Sequence, residues 1–135
     1  MADDQVQACA CKSITDVRRD VLILDAGERR KAAWDRLKAL PVSSSTNATP
    51  SEIECYGTID RAEIAIQKAV AVTLQGVEIQ LWIALSHSSD ATYKSTAELV
   101  DRQDLSGLLA RENTFDWDAR MLLAALRSIT SMEVQ

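Results

Sequence analysis

Three cysteines and a single histidine are the residues of this chain with the most specific chemistry. Cys9, Cys11, Cys55 and His87 supply three thiolates and one imidazole, a ligand set that zinc accepts. Familiar zinc sites use CxxC pairs, whereas here one pair is spaced CxC and no second pair follows. His87 would have to serve as the base of any Ser–His or Cys–His pair, but no serine of the chain lies in a GxSxG nucleophile motif. We therefore predict no metal, no cofactor, no catalytic residue and no enzymatic activity.

Closely spaced acids are the next candidates for cation binding. Asp116 and Asp118 flank Trp117, and Asp101 and Asp104 lie a short distance before them. The turn glycine and ligand spacing of an EF-hand are missing. Both acids near Trp117 fall in the first turn of a predicted helix, where the helix dipole favours negative charge. We predict that all four acids cap helices and keep the surface charged.

The basic residues are concentrated near the N-terminus of a chain whose net charge is −5. Residues 12–40 contain eight lysines and arginines and five acids, so this region carries +3. The acids are interspersed, with Asp25 four residues before Arg29, which is typical of a solvated helix face. Nucleic acid is therefore an unlikely partner. We keep Arg29 and Arg30 as candidate contacts to an acidic partner or to the acidic part of another copy.

Trp82 is the residue that most suggests a partner. If Leu81 and Ile83 point to the core of a sheet, Trp82 lies on the other side with Glu78 and Gln80. Aromatic residues are enriched at protein interfaces, so this face could receive a partner. In the competing interpretation, another part of the same chain covers Trp82.

The elements that would position these residues begin with a helix at 13–40. Apolar residues spaced by three and four predict it, and Gly27 predicts a kink or a break into two helices. Residues 1–12 are small, polar and aperiodic, and they predict a flexible tail. Residues 42–51 are rich in Ser, Thr, Asn and Pro, and they predict a mobile loop.

Residues 52–85 predict a three-stranded antiparallel meander. Apart from Lys68, apolar residues occupy even positions from Ala62 to Leu74, and they occupy odd positions from Val77 to Leu85, with Gln75-Gly76 between the two runs. A two-residue hairpin loop requires this change of parity, because both strands must turn their apolar side chains to one face. An all-α fold with residues 60–85 as one long helix is the alternative, since a polar stripe with helical spacing also runs through this region.

The remaining chain predicts C-terminal helices: one at 91–101, one after Asp104 and one that starts near Asn113 or Thr114. The expected fold is therefore α+β, with residues 13–135 forming a single globular domain.

Function is predicted mainly from what the sequence lacks. We expect a cytoplasmic, non-enzymatic protein-interaction module of the adaptor, inhibitor, immunity or chaperone type, acting as a homo-oligomer with a protein partner of unknown identity. No stretch of 18 apolar residues predicts a membrane span, and no apolar signal segment precedes the domain. The alternative is a small-molecule-binding protein or small enzyme with a pocket between sheet and helices, using His87.

Overall fold

The structure is a computed structural model that describes residues 2–42 and 46–134, with side chains described for 20–42 and 46–133. The chain divides into two compact units, Met1–Gly76 and Val77–Gln135. We call them unit 1 and unit 2 and describe each by itself. The single domain over 13–135 stays a prediction.

Helices dominate both units, and within 2–42 and 46–134 no β-strand is present. The α-helices are α1 (Ala2–Ala39), α2 (Pro50–Lys68), α3 (Leu74–Ser86), α4 (Lys94–Asp101), α5 (Leu105–Leu109) and α6 (Trp117–Val134). Two short 3₁₀ helices span Ser89–Thr92 and Glu112–Thr114. The predicted α+β fold with a three-stranded meander at 52–85 is therefore wrong, and the fold is all-α. None of the described helices is long and apolar enough to cross a membrane.

Local sequence explains why α2 is a helix. Thr49 is its N-cap and accepts a hydrogen bond from the backbone N–H of Glu52 at 3.2 Å, while Pro50 occupies the first turn, where no N–H is needed. Four buried residues then recur at spacings of four, three and four: Cys55, Ile59, Ala62 and Ile66. This spacing puts them on one helical face, and burial of that face stabilises the helix.

The period-two pattern that predicted strands crosses a boundary between two helices. Ile64, which the pattern placed with the core residues, is exposed, and so is Val70. The alternative of one helix over 60–85 is also wrong, because the chain leaves α2 at Lys68 and enters α3 at Leu74. The alternation is a coincidence of a segment rich in Ala, Val and Ile.

The structure changes the predicted bounds of the N-terminal helix. α1 passes through Gly27 as one helix, so the alternative of two helices is wrong, and residues 2–12 form the first part of α1. The helix ends at Ala39, before Pro41, as a proline requires. Most of the predicted loop at 42–51 lies between α1 and α2, although residues 43–45 are outside the described part of the chain.

Unit 1 is built on α1 and α2, which pack against each other in opposite directions. The Trp34 and Tyr56 rings meet edge to face, with their centroids 6.3 Å apart. Closer to the C-terminal end of α2, Arg30 Nε donates a hydrogen bond to Glu63 Oε1 at 2.8 Å. Small and branched residues fill the α1 side of the contact: Ile23, Ala26 and Ala33. The small alanines allow the two helix backbones to approach closely.

Asp20 joins the start of α3 to α1 within unit 1. Its carboxylate accepts hydrogen bonds from the backbone N–H of Val72 at 3.1 Å and of Thr73 at 2.9 Å, and also from the Thr73 hydroxyl. Thr73 Oγ1 in turn accepts from the Gly76 N–H at 3.1 Å and caps α3. Asp20 is only 2% exposed, so these bonds satisfy a carboxylate that is cut off from water.

Unit 2 has a continuous apolar core drawn from α3, α4, α5, α6 and the segment before α6. Its buried members are Trp82, Leu85, Leu99, Val100, Leu108, Phe115, Ala119, Leu123 and Leu126. Asp104 caps α5 by accepting from the Gly107 N–H at 3.0 Å, which confirms the predicted cap. The predicted helix at 91–101 is found as α4, and the last helix begins at Trp117.

Candidate functional site

Trp82 lies in the core of unit 2 rather than at its surface. Its side chain is 6% exposed, so the predicted position on an open face is wrong and the competing interpretation, coverage by the same chain, is correct. The error follows from the strand assignment, because a helix turns Trp82 towards the side that packs in the core. Its indole N–H is buried and has no hydrogen-bond partner among the described residues.

Glu78 and Gln80, the predicted neighbours of Trp82, are half-buried on α3. Burial raises the pKa of Glu78 above its ordinary value, and the carboxyl of Glu133 raises the pKa further through a hydrogen bond and through its charge. The indole N–H of Trp82 lowers this pKa from nearby, although it does not reach full hydrogen-bond geometry. α3 and the end of α6 therefore share a proton-dependent contact between two carboxyl groups.

This contact predicts a pH-dependent stability. The folded chain holds the Glu78 proton more tightly than the unfolded chain, so its stabilising effect is complete below the ordinary glutamate pKa and is lost as pH rises through the raised value. Glu78→Gln should therefore be more stable than the parent at pH 7, by up to about 0.5 kcal/mol for a like-charge pair, and equal to it near pH 4. Urea unfolding at both pH values measures this. A Glu98→Gln control removes an exposed charge on α4, and a lower midpoint for Glu78→Gln at pH 7 contradicts the prediction.

The two predicted arginines differ in their surroundings. Arg29 is exposed, and its Nε lies 3.2 Å from Asp25 Oδ2, the ion pair that the spacing of four residues predicts. Arg30 is half-buried and is committed to Glu63 inside unit 1. Arg29 and Arg30 belong to unit 1, whereas Trp82, Glu78 and Gln80 belong to unit 2, so the five predicted contacts do not form one surface within either unit.

Three carboxylates meet in unit 2, at the start of α6. Oxygen atoms of Asp90, Asp116 and Asp118 lie within 4.8 Å of one another, the only such group of three ligating residues among the side chains described. Asp90 accepts from the Asp116 N–H at 3.0 Å, and Asp118 accepts from the Ala119 N–H at 2.9 Å. Asp118 therefore lies in the first turn of α6 and accepts a backbone N–H there, as predicted. The Asp116 carboxylate instead accepts from the Ser89 hydroxyl at 3.2 Å, so the predicted capping role of Asp116 is not observed. Sequence reasoning missed Asp90, because its position depends on tertiary packing.

Cys55 and His87 belong to different units, so neither unit by itself contains the cysteine and histidine combination among its described side chains. Cys55 is a buried free thiol on α2, and His87 is exposed just after α3. The side chains of Cys9 and Cys11 lie outside the described residues. A pocket that uses His87 stays a prediction.

The most prominent exposed apolar surface of unit 2 lies along α6. Trp117 is 69% exposed, and Met121 and Met132 are also exposed. At about 3.6 residues per turn these three side chains lie on one face. Between them the same face carries only small residues, namely Ala124, Ala125 and Ser128. We call these six residues the α6 stripe.

The sequence contains a signal for the α6 stripe. Leu122, Leu126 and Ile129 form the face of α6 that packs towards the core. Trp117 and Met121 stand off that face at a spacing of four residues. A second apolar face on an amphipathic helix indicates a contact beyond the core of its own unit.

Comparison with known proteins does not indicate a function for the α6 stripe. No family model matches the chain, and no curated protein or solved structure matches it. What the α6 stripe can bind must therefore follow from its own chemistry.

Charge is distributed unevenly along the two edges of the α6 stripe. Arg120 and Arg127 are exposed along one edge, seven residues apart, and neither has an ion-pair partner among the described residues. Asp118 and Glu133 lie towards the opposite edge. A chain with a net charge of −5 thus presents a local basic edge beside its exposed tryptophan. This combination favours a ligand that is apolar at its centre and acidic along one side.

Proposed function

We propose that this chain is a non-enzymatic protein-interaction module whose α6 stripe receives an acidic amphipathic helix of a partner protein. The exposure of Trp117 together with Met121 and Met132 on one helical face carries the proposal. These exposed side chains do not contribute to the core of unit 2, because the opposite face of α6 already packs there.

The residue types of the stripe suit protein recognition. Tryptophan and arginine are the side chains most enriched among residues that dominate binding energy. Methionine adapts its flexible thioether to irregular partner surfaces. Full burial of a methionine side chain contributes about 1.5–3 kcal/mol before the costs of association are subtracted. One tryptophan and two methionines therefore support a moderate affinity.

The geometry of the stripe suits a helix as its ligand. Trp117 and Met132 are fifteen positions apart, which corresponds to a rise of about 22 Å along the helix. Large side chains stand at its ends, and the small Ala124 and Ala125 lie at its middle. Two helices that cross there could approach closely and still bury the large groups at both ends.

Charge selects an acidic partner over a second copy of α6. If two α6 helices paired in opposite directions about a two-fold axis, the basic edges would meet and Arg120 would face Arg127 of the partner subunit. Like charges opposite each other destabilise such a pair. A helix with glutamates or aspartates along the edge facing these arginines would form complementary pairs instead.

Selection from a display library of helix-forming 18-residue peptides tests this proposal. We expect the enriched peptides to have apolar residues at helical spacing with an excess of acids on one side. Trp117→Ala should weaken their binding at least tenfold, because the largest apolar contact is lost. Arg120→Glu with Arg127→Glu should shift the selected sequences from acidic to basic.

Tyr93→Ala is the matched control, because Tyr93 is as exposed as Trp117 but lies outside the stripe. It should leave peptide binding unchanged. Enriched peptides without an acidic excess, or equal binding by the parent and Trp117→Ala, would refute the proposal. Circular dichroism of each variant shows that the helices are retained.

A further inference from the structure

The sulfur atoms of unit 2 are confined to the α6 stripe. Among residues 77–135 they belong to Met121 and Met132 alone. Met121 is 50% exposed and Met132 is 55% exposed, so small solutes reach both side chains. The buried core of unit 2 consists of aliphatic and aromatic residues and contains no sulfur. An oxidant in solution therefore meets the sulfur of unit 2 on the proposed binding surface and not in the core.

We propose that Met121 and Met132 form a reversible oxidation switch for the α6 stripe, with hydrogen peroxide as the oxidant; this inference rests on the proposed function of the stripe. A lone pair of the thioether sulfur attacks one oxygen of the peroxide, so that a sulfur–oxygen bond forms and the oxygen–oxygen bond breaks. The departing hydroxide takes the proton of the transferred oxygen and becomes water. The sulfur loses two electrons, and the methionine becomes methionine sulfoxide.

Oxidation makes polar the part of the stripe that a partner helix would cover. A sulfoxide oxygen pressed against apolar side chains of the partner loses its water without gaining a hydrogen-bond donor, which costs free energy. Met121 lies about one helical turn from Trp117, and Met132 lies at the opposite end of the stripe. Both ends of the contact therefore lose their apolar character, and the partner helix binds more weakly.

The fold does not depend on the two thioethers. Leu123 and Leu126, on the other face of α6, are fully buried and hold the helix in the core of unit 2. The exposure that admits peroxide also admits methionine sulfoxide reductases, one for each epimer of the sulfoxide. In that reduction two thiols of the reductant become a disulfide, and the oxygen leaves as water. The stripe can therefore pass between its two states while the helix stays folded.

Peptides selected with the untreated chain report on the switch. After the full chain is treated with peroxide, mass spectrometry should show one added oxygen on Met121 and one on Met132. Peptide affinity should then fall by about tenfold or more. Treatment with reductases of both stereospecificities and dithiothreitol should restore the affinity. Circular dichroism and urea unfolding should show that the oxidised chain keeps its helix content and its unfolding midpoint.

Met121→Leu with Met132→Leu is the peroxide-resistant variant, because leucine is apolar, similar in volume and free of sulfur. It should bind the peptides as the parent does, both before and after treatment. Tyr93→Met in this background is the matched control, since it places a thioether at an exposed position outside the stripe. Peroxide should oxidise the introduced thioether and leave the affinity unchanged.

Parent binding that persists when both methionines carry oxygen would overturn the inference. An equal loss of binding by the leucine variant after treatment would do the same, because the damage would then lie at another residue. Loss of helix content on oxidation would indicate structural damage and no switch. An untreated parent that binds no selected peptide would refute the proposed function and this inference with it, a result obtained before any peroxide is added and so distinct from the other three.

Discussion

Asp20→Ala should destabilise the protein by about 3 kcal/mol. The buried carboxylate accepts from the backbone N–H groups of Val72 and Thr73 and from the Thr73 hydroxyl. Alanine offers none of these acceptors, so two backbone donors and one hydroxyl lose their partner in a site that water does not reach freely. Urea unfolding monitored by helix content should show a large drop in midpoint.

Two further variants separate the hydrogen bonds from the charge. Asp20→Asn keeps one acceptor oxygen and should lose less stability than Asp20→Ala. Asp25→Ala removes an exposed acid whose ion pair with Arg29 is open to water, and it should change stability by less than about 0.5 kcal/mol. If Asp20→Ala stays within about 1 kcal/mol of the parent, the carboxylate does not have the structural role assigned to it.

Gly76→Ala should destabilise the parent protein by about 2 kcal/mol, although alanine is the better helix former. A Cβ atom at Gly76 would lie 2.5 Å from Asp20 Oδ2, which is closer than two such atoms can approach. The carboxylate could move away only by weakening its hydrogen bonds to Val72 and Thr73. Thermal or urea unfolding of the variant measures the loss.

When Asp20 has been replaced by alanine, Gly76→Ala should stabilise the protein instead of destabilising it. In an Asp20→Ala background the clashing oxygen is absent, so Gly76→Ala contributes its helix preference and should restore up to about 1 kcal/mol. The neighbouring Ala71 Cβ, 3.2 Å from the added atom, limits this gain. Equal losses in both backgrounds would show that the close approach to Asp20 is not the reason for the glycine.

Gly76 also shows how a correct observation in the sequence led to a wrong fold. The change of parity across Gln75-Gly76 is real, and it predicts a hairpin loop in which glycine supplies an unusual backbone conformation. In the structure Gly76 lies in the first turn of α3 and does not have a positive φ. The position suits a glycine because a buried carboxylate from α1 lies against its backbone. That carboxylate is 56 positions away in the sequence, so no local pattern could indicate it.

Trp82 was misplaced for the same reason. The prediction assumed that side chains alternate as in a strand, whereas the helical repeat of α3 places the Trp82 side chain in the core of unit 2. The local sequence places Trp117 simply between two acids, yet among the described residues it is the exposed tryptophan. Whether a large apolar side chain is covered depends on which elements pack over it, and periodicity within one segment does not determine this.

The sequence by itself determined the features whose causes are local. The cap at Asp104, the Asp25–Arg29 pair and the position of Asp118 in the first turn of α6 depend on residues within four positions of each other, so their spacing was sufficient. Thr49 and Pro50 mark where α2 begins, but tertiary packing decided between strand and helix for residues 52–85, because their alanines, valines and isoleucines fit both repeats. For α2, the packing of Cys55, Ile59, Ala62 and Ile66 on one face against α1 favours the helix. Tertiary structure also left the α6 stripe exposed, because the opposite face of α6 packs in the core of unit 2, and our functional proposal rests on this surface.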